Sequence, residues 1–272
     1  MKTFLIDADK CIDCRNCQIA CKDEHCDNDW SPISAPQGPG QFWIRIITKE
    51  AGSGARIKMH RLPLLCQHCA RPSCKDACSH DAIYQRADGI VIIDPTKCTG
   101  CGDCAEACPY GVIYRNEQEG RYQKCTFCAH LLDAGSLPRC LTACPSDALR
   151  FIDTDGLIPD RHYASLEKLH AEYGTEPQVL YMNLPRPFIA GEVCSPDLES
   201  SIPNVRVVAK HQITGESFCD VTDAFGEFSL QGLTPGYYTV SFEKDGYAYK
   251  SLSNILADES VNVEEVKLYA LG

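Results

Sequence analysis

Four cysteines crowd into eleven residues near the start of the chain, "CIDCRNCQIAC" from Cys11 to Cys21, and nearly the same string returns as "CTGCGDCAEAC" from Cys98 to Cys108. Two looser runs complete the pattern: Cys66, Cys69, Cys74 and Cys78, then Cys125, Cys128, Cys140 and Cys144. These sixteen make up most of the nineteen cysteines in 272 residues and leave Cys26, Cys194 and Cys219. Thiols two residues apart in a loop clasp a metal centre more readily than they pair with distant partners. Small secreted disulfide scaffolds are the other usual home of dense cysteine. Neither the chain length nor the tight runs fit one.

The spacing C-x2-C-x2-C-x3-C is that of the bacterial iron–sulfur run. Three closely spaced thiols in a loop can wrap three corners of a [4Fe–4S] cube. The fourth cysteine begins a helix that leads away and reaches a neighbouring cube. Runs of this kind work in pairs, each lending its last cysteine to the other, so four runs predict four [4Fe–4S] clusters. Zinc prefers two separated C-x2–4-C knuckles, and three cysteines within seven residues would crowd a tetrahedral ion.

Internal repeats support a duplicated unit. "FLIDADKCIDCRNC" from Phe4 matches "VIIDPTKCTGCGDC" from Val91: a short apolar strand, an Asp-x-x-Lys turn, then a cysteine loop. Three of the runs also end alike, in "CSHDAIYQ" at Cys78, "CPYGVIYR" at Cys108 and "CPSDALRF" at Cys144, each read as a helix end, a turn and a strand. Two insertions interrupt the duplication. One holds "FWIRIIT" and "ARIKMHRL" around "KEAGSG", a predicted β-hairpin; the other is "AHLLDAGSLPR" between Cys128 and Cys140. Beyond Arg150, Tyr163, Leu166, Leu169 and Tyr173 stand at helical spacing with Gly174 as a stop. "EPQVLYMNLPRP" then reads as extended, its prolines marking a linker. From about Phe188 the alternation is purely β, with Gly and Pro turns, and predicts a small sandwich of four to seven strands. The expected architecture is α+β: a duplicated ferredoxin-like domain with insertions over residues 1–185, then an all-β immunoglobulin-like sandwich over 186–272.

A net charge of −11 argues against a nucleic-acid partner. No segment approaches ~20 continuous apolar residues, so no membrane span is expected. The N-terminus lacks an apolar run of signal-peptide length, which predicts a cytoplasmic chain unless a partner's twin-arginine signal exports it to the periplasm. Neither an acid–base pair, a nucleophile elbow nor a phosphate loop stands out, so catalysis is expected elsewhere.

With "CQHCARPSC" second and the wide "CTFCAHLLDAGSLPRC" fourth, the order of runs resembles the four-cluster ferredoxin-like small subunits of molybdopterin (dimethyl-sulfoxide reductase family) oxidoreductases, over roughly residues 1–185. The resemblance implies a crossed sharing of ligands. Cys11, Cys14 and Cys17 would join Cys144, and Cys125, Cys128 and Cys140 would join Cys21. Cys66, Cys69 and Cys74 would join Cys108, and Cys98, Cys101 and Cys104 would join Cys78. The family often has Pro after each fourth cysteine; Pro109 and Pro145 fit, whereas Lys22 and Ser79 depart. The tail, "VTDAFGEFSLQGLTPGYYTVSFEKDGY", looks like a carboxypeptidase-regulatory or Cna-B type sandwich. A small subunit with this appendage is similar to that of the pyrogallol–phloroglucinol transhydroxylase branch, whose members act on polyphenols.

What the resemblance implies is a non-catalytic electron-transfer subunit. Its partner would be a large catalytic subunit carrying molybdenum on bis-molybdopterin guanine dinucleotide, and an external donor or acceptor would complete the chain. Two alternatives stay open: a component of a membrane-anchored respiratory reductase or dehydrogenase of the polysulfide, dimethyl-sulfoxide or formate type, and a free-standing multi-cluster ferredoxin.

Single residues are read more plainly. His68 is expected to hydrogen-bond near a sulfur or the backbone, and His25, His80 and His130 to fill surface or capping roles. Lys10, Arg15, Lys22, Lys97 and Lys124 lie beside the runs and either offset cluster charge or are solvated. Cys26 reads as an inert buried thiol. Cys194 and Cys219 bridge if exported and stay free in a reducing compartment. Tyr237, Tyr238, Phe242 and Tyr247 read as sandwich core and edge. Trp30 and Trp43 pack either within the insertion or on a partner.

Overall fold

The computed structural model describes residues 2–53, 56–153 and 166–271. The chain divides into two compact units, one of residues 1–47 and 61–184, the other of residues 48–60 and 185–272.

The first unit is organised by strand β1 (Lys2–Asp7). Phe4, Leu5 and Ile6 are all fully buried, because β1 lies inside a sheet with neighbours on both edges. A strand buried on both faces is continuously apolar rather than alternating, which is what "FLI" supplies. Helix α1 (Asn16–His25) follows the first cysteine loop. Strands β2 (Ile44–Ser53) and β3 (Arg56–Leu65) form the expected hairpin. Next come the short helix α2 (Ser73–Asp76), β4 (Ile83–Gln85) and β5 (Val91–Ile93), the last two pairing Ile83 with Ile93. The same sequence of elements returns as α3 (Asp103–Glu106), β6 (Tyr114–Asn116) and β7 (Arg121–Gln123), with Tyr114 opposite Gln123. The fourth run carries α4 (Ala129–Asp133) and α5 (Arg139–Thr142), and leads into β8 (Leu149–Asp153). Strand β8 pairs antiparallel with β1, setting Phe4 opposite Phe151.

The helix expected over Tyr163 to Tyr173 is not formed where the chain is described; Tyr163 lies outside the described residues. Instead β9 (Glu167–Lys168) and a single 3-10 turn (Ala171–Tyr173) appear, the turn closed by Gly174 at φ +68°. The apolar spacing is satisfied by tertiary packing: Leu169 is buried in the core, and β9 pairs with β10 (Leu180–Met182). Nor is "EPQVLYM" a linker. Strand β10 lies parallel to β1, with Val179 and Tyr181 fully buried. The prolines act only from Pro185 onward.

The second unit builds two sheets around one core. Strands β11 (Ile189–Ser195), β12 (Ser200–Ser201), β15 (Glu227–Leu230) and β18 (Val261–Lys267) form one. Strands β13 (Arg206–His211), β14 (Ser217–Val221), β16 (Tyr237–Glu243) and β17 (Lys250–Leu256) form the other, in the order β14-β13-β16-β17. This makes eight strands among the described residues, one more than the upper expectation; the two-residue β12 leaves little trace in an alternation pattern. Burial alternates along β13 and β16, as a two-residue period requires. Phe228 and Phe242 meet edge to face across the core at 5.5 Å. Tyr238 is buried, and its hydroxyl donates to the Thr234 carbonyl at 2.7 Å, so the phenol enters the core without an unmet polar group. Tyr237 stands at the edge, half-exposed.

Replacing a fully buried Phe by Ala removes both its transfer energy and its packing. Phe228→Ala is therefore expected to destabilise the sandwich by about 3–5 kcal/mol. Urea unfolding followed by far-UV circular dichroism would read this; a loss under ~1 kcal/mol would contradict the packing described.

Candidate metal centres

Each run opens with the same backbone device. The residue just before the second cysteine has positive φ in all four: Asp13 (56°), His68 (42°), Gly100 (79°) and Phe127 (53°). That conformation turns the amide of the same residue back toward the first thiol. His68 N–H donates to Cys66 Sγ at 3.5 Å and Phe127 N–H to Cys125 Sγ at 3.4 Å. The Asp13 amide hydrogen-bonds Cys11 likewise and lowers its thiol against the rise that burial imposes. Left-handed geometry costs a non-glycine residue roughly 1–2 kcal/mol, so only the third run uses the residue suited to it. There a side chain is also forbidden sterically, since a Cβ on Gly100 would collide with the Gly120 carbonyl oxygen. The sequence reading missed these four positions. The signal was present in "TGC", where glycine marks the turn that Asp, His and Phe make elsewhere.

The loops bring thiols together from different runs. One cavity is lined by Cys98, Cys101 and Cys104 together with Cys78, and by Ile83, Ile93 and Tyr122. A second is lined by Cys125, Cys128 and Cys140 together with Cys21, and by Phe4, His25 and Trp43. Three thiols of one run and one of another facing a single space suit a body with four metal corners. Among the described residues no three His, Cys, Asp or Glu side chains converge for a single ion. The other two groups are visible in how the thiols act on one another. Cys17 feels Cys11, Cys144 and Cys14, and Cys74 feels Cys66, Cys108 and Cys69.

Burial and these like-charged neighbours push the thiols up. Cys17, Cys74 and Cys104 reach about 12, and burial takes Cys69 and Cys128 to about 11. Burial drives Cys21, Cys125 and Cys140 higher still. Thiolates in these buried places are untenable without cations to bind them. The donor set therefore fits iron–sulfur cubanes.

A family model described as a 4Fe-4S dicluster domain matches residues 57–154, which hold the last three runs, and one described as a carboxypeptidase regulatory-like domain matches residues 189–268. The pyrogallol hydroxytransferase small subunit of Pelobacter acidigallici is 38% identical over 97% of this chain and 98% of its own length. The chain belongs to the iron–sulfur small subunits of molybdopterin oxidoreductases. A tetrathionate reductase subunit of Salmonella typhimurium is 33% identical over 68% of this chain and 74% of its own. The arsenate respiratory reductase iron–sulfur subunit of a Shewanella species is 30% identical over 66% and 94%.

The small subunit's remaining candidate residues fall into place around the thiols. The buried His68 ring accepts the Val91 N–H at 3.0 Å through Nδ1, and burial, helped by Lys124, holds it neutral. His25 Nδ1 lies 2.9 Å from the Cys21 carbonyl, to which it donates, and burial lowers the ring to about 4. His130 Nε2 meets Glu24 Oε1 at 3.0 Å, and Glu24 also takes Arg139 at 3.3 Å. Trp30 stacks on His130 at 4.1 Å and Trp43 is buried in the core, so both pack within this chain. Lys22 donates to the Gly38 and Gln41 carbonyls, and Lys124 to those of Val91 and Cys125. Lys10 and Arg15 are exposed.

Cys26 departs from expectation. It caps the end of α1, is partly exposed, and its Sγ faces Asp27 at 3.5 Å, because the helix has turned outward by then. Cys194 on β11 and Cys219 on β14 belong to different sheets and are unbridged; Cys194 Sγ donates to Glu265 at 2.7 Å.

Two outcomes follow from this geometry. Gly100→Ala should lose the iron of one cluster, about four atoms per chain, while leaving the rest; parent-level iron would contradict the close approach to Gly120. Loading the iron-free chain should release protons and strengthen as pH rises from about 6 to about 9, because thiols pushed to about 11 and about 12 are protonated throughout that window. A pH-stat titration with iron and sulfide checks this, and pH-independent loading would be inconsistent with it.

Proposed function

We propose that this small subunit holds four [4Fe–4S] clusters and relays electrons for a polyphenol transhydroxylase, hydroxylase or dehydroxylase. The ligand sets are Cys11, Cys14, Cys17 and Cys144; Cys125, Cys128, Cys140 and Cys21; Cys66, Cys69, Cys74 and Cys108; and Cys98, Cys101, Cys104 and Cys78. What carries the reading is the pair of cavities in which three thiols of one run face the last thiol of another. Bound, each cubane accepts or gives up one electron.

The chain's own residues do the rest. The first two thiols of each run sit in its loop and the third, Cys17, Cys74, Cys104 or Cys140, on the helix that follows, so that these twelve fix three corners of each site. The fourth cysteines tie one run to another. Of them only Cys21 is helical, whereas Cys78, Cys108 and Cys144 lie just past the ends of helices that were expected to begin there. The amides of Asp13, His68 and Phe127 donate to sulfur, which stabilises added negative charge. Phe4, Trp43 and Phe127 exclude water from the interior site. Cys14 and Cys101 are exposed, so the groups containing them lie at the surface, where partners can approach.

The partner is a large subunit with molybdenum on bis-molybdopterin guanine dinucleotide, and the polyphenol class rests on full-length similarity to the pyrogallol hydroxytransferase small subunit, sandwich included. No helix of the described residues is long and apolar enough to cross a membrane. We place the chain in the cytoplasm, where Cys194 and Cys219 stay free; the alternative is export to the periplasm with a partner carrying a twin-arginine signal. The limit between domains 1–185 and 186–272 draws support from the division of the chain at Leu184, although residues 48–60 group with the second unit, and a duplicated origin of the first domain draws support from the recurrence of helix and hairpin.

Native purification tests the whole reading. Roughly sixteen irons per small subunit are expected, with a molybdenum-bearing large subunit co-eluting and reducing equivalents exchanged with a polyphenol. Cys14→Ala or Cys101→Ala should lose or convert one cluster. An iron count unmoved by either, or a chain that elutes alone, would refute it.

A further inference from the structure

Lys124 is 2% exposed, one of the largest fully buried side chains in the protein. Its ammonium donates to two main-chain carbonyls, of Val91 and Cys125, the second at 3.2 Å. It also acts on Cys66 by charge and hydrogen bond, and on Cys74 and Cys125 by charge. None of the ion pairs among the described residues includes it. A buried cation held by two carbonyls and a thiol, with no carboxylate, needs negative charge nearby. Here that charge comes from two thiol groups at once, since Cys66 and Cys125 also act on each other. Lys124 thus stands where the group of Cys66, Cys69, Cys74 and Cys108 meets that of Cys125, Cys128, Cys140 and Cys21.

Its anchoring is rigid. The Val91 carbonyl takes the ammonium while the Val91 amide is spent on His68 Nδ1. Val91 itself is held in the β4–β5 hairpin opposite Gln85. A neighbouring imidazole kept neutral by burial and by Lys124 adds no second positive charge. By contrast Lys10 and Arg15, beside the first run, are exposed and screened by water. Lys22 acts on Cys21 but is only half-buried.

We propose that Lys124 sets the potentials of the two clusters on either side of it, its fixed positive charge favouring their reduced state and leaving the outer two nearly untouched. The inference rests on the ligand sets proposed above. Lys124 exchanges neither proton nor electron; each cluster takes its electron from the redox partner or mediator. A fixed charge in a low-dielectric interior acts strongly at short range and weakly beyond.

The test is a mediated redox titration of the whole complex, followed by electron paramagnetic resonance. Cys66→Ser and Cys125→Ser first assign the two signals. If neither removes or converts a cluster, the ligand sets fail and the inference goes with them. With that assignment standing, Lys124→Met and Lys124→Gln are compared with the parent; glutamine keeps a donor for the carbonyls but loses the charge. Both should retain iron and lower the two inner midpoints by about tenfold or more in the reduction equilibrium, about 59 mV for one electron, with Lys124→Arg restoring them. Unmoved inner midpoints, or an equal shift in all four clusters, would overturn the proposal. Should the uncharged variants fail to hold the inner clusters, retention in Lys124→Arg supports the role of charge, and loss in all three variants counts against it.

Discussion

Bringing many potential negative charges into a protein interior is the constraint around which this molecule is arranged. The buried thiols are disfavoured as anions by burial and by their neighbours, as Cys17, Cys74 and Cys104 record. The chain meets the problem locally with an amide aimed at sulfur, and at longer range by setting a fourth thiol from a different run into the same space. The hydrophobic side chains are placed accordingly. Phe4, Phe127 and Trp43 serve both as core and as the walls of a metal site.

Much of this was legible in the residues. Cysteine spacing is governed by the geometry of one inorganic body, so it survives as a short-range pattern. The β-hairpin, the strands after three of the runs and the C-terminal alternation are local too. What escaped was decided by distant partners. Leu166, Leu169 and Tyr173 have helical spacing, yet Leu169 is claimed by the first unit's core and its neighbours by pairing with Leu180 and Tyr181. Tyr181 reads as part of a linker because its burial depends on β1, some 175 residues earlier by pairing register. The buried state of Lys124 was equally hidden. In sequence it is one of five basic residues beside cysteines, and only the fold separates it from the solvated ones.

The left-handed position before each second cysteine shows a middle case. Gly100 announces it; Asp13, His68 and Phe127 do not, because their strain of ~1–2 kcal/mol is absorbed by packing and by the sulfur hydrogen bond. Phe127 and His68 even meet ring to ring at 3.7 Å, so two strained loops brace each other.

The place of β1 in its sheet has a consequence for biosynthesis. Residues 2–7 are made well before their neighbours at 149–153 and 180–182. Contacts of such sequence separation close late. Until residues 149–182 have been made, the thiols of the first run have no completed sheet to rest on. A sheet that closes this late leaves the first thiols open to oxygen during synthesis.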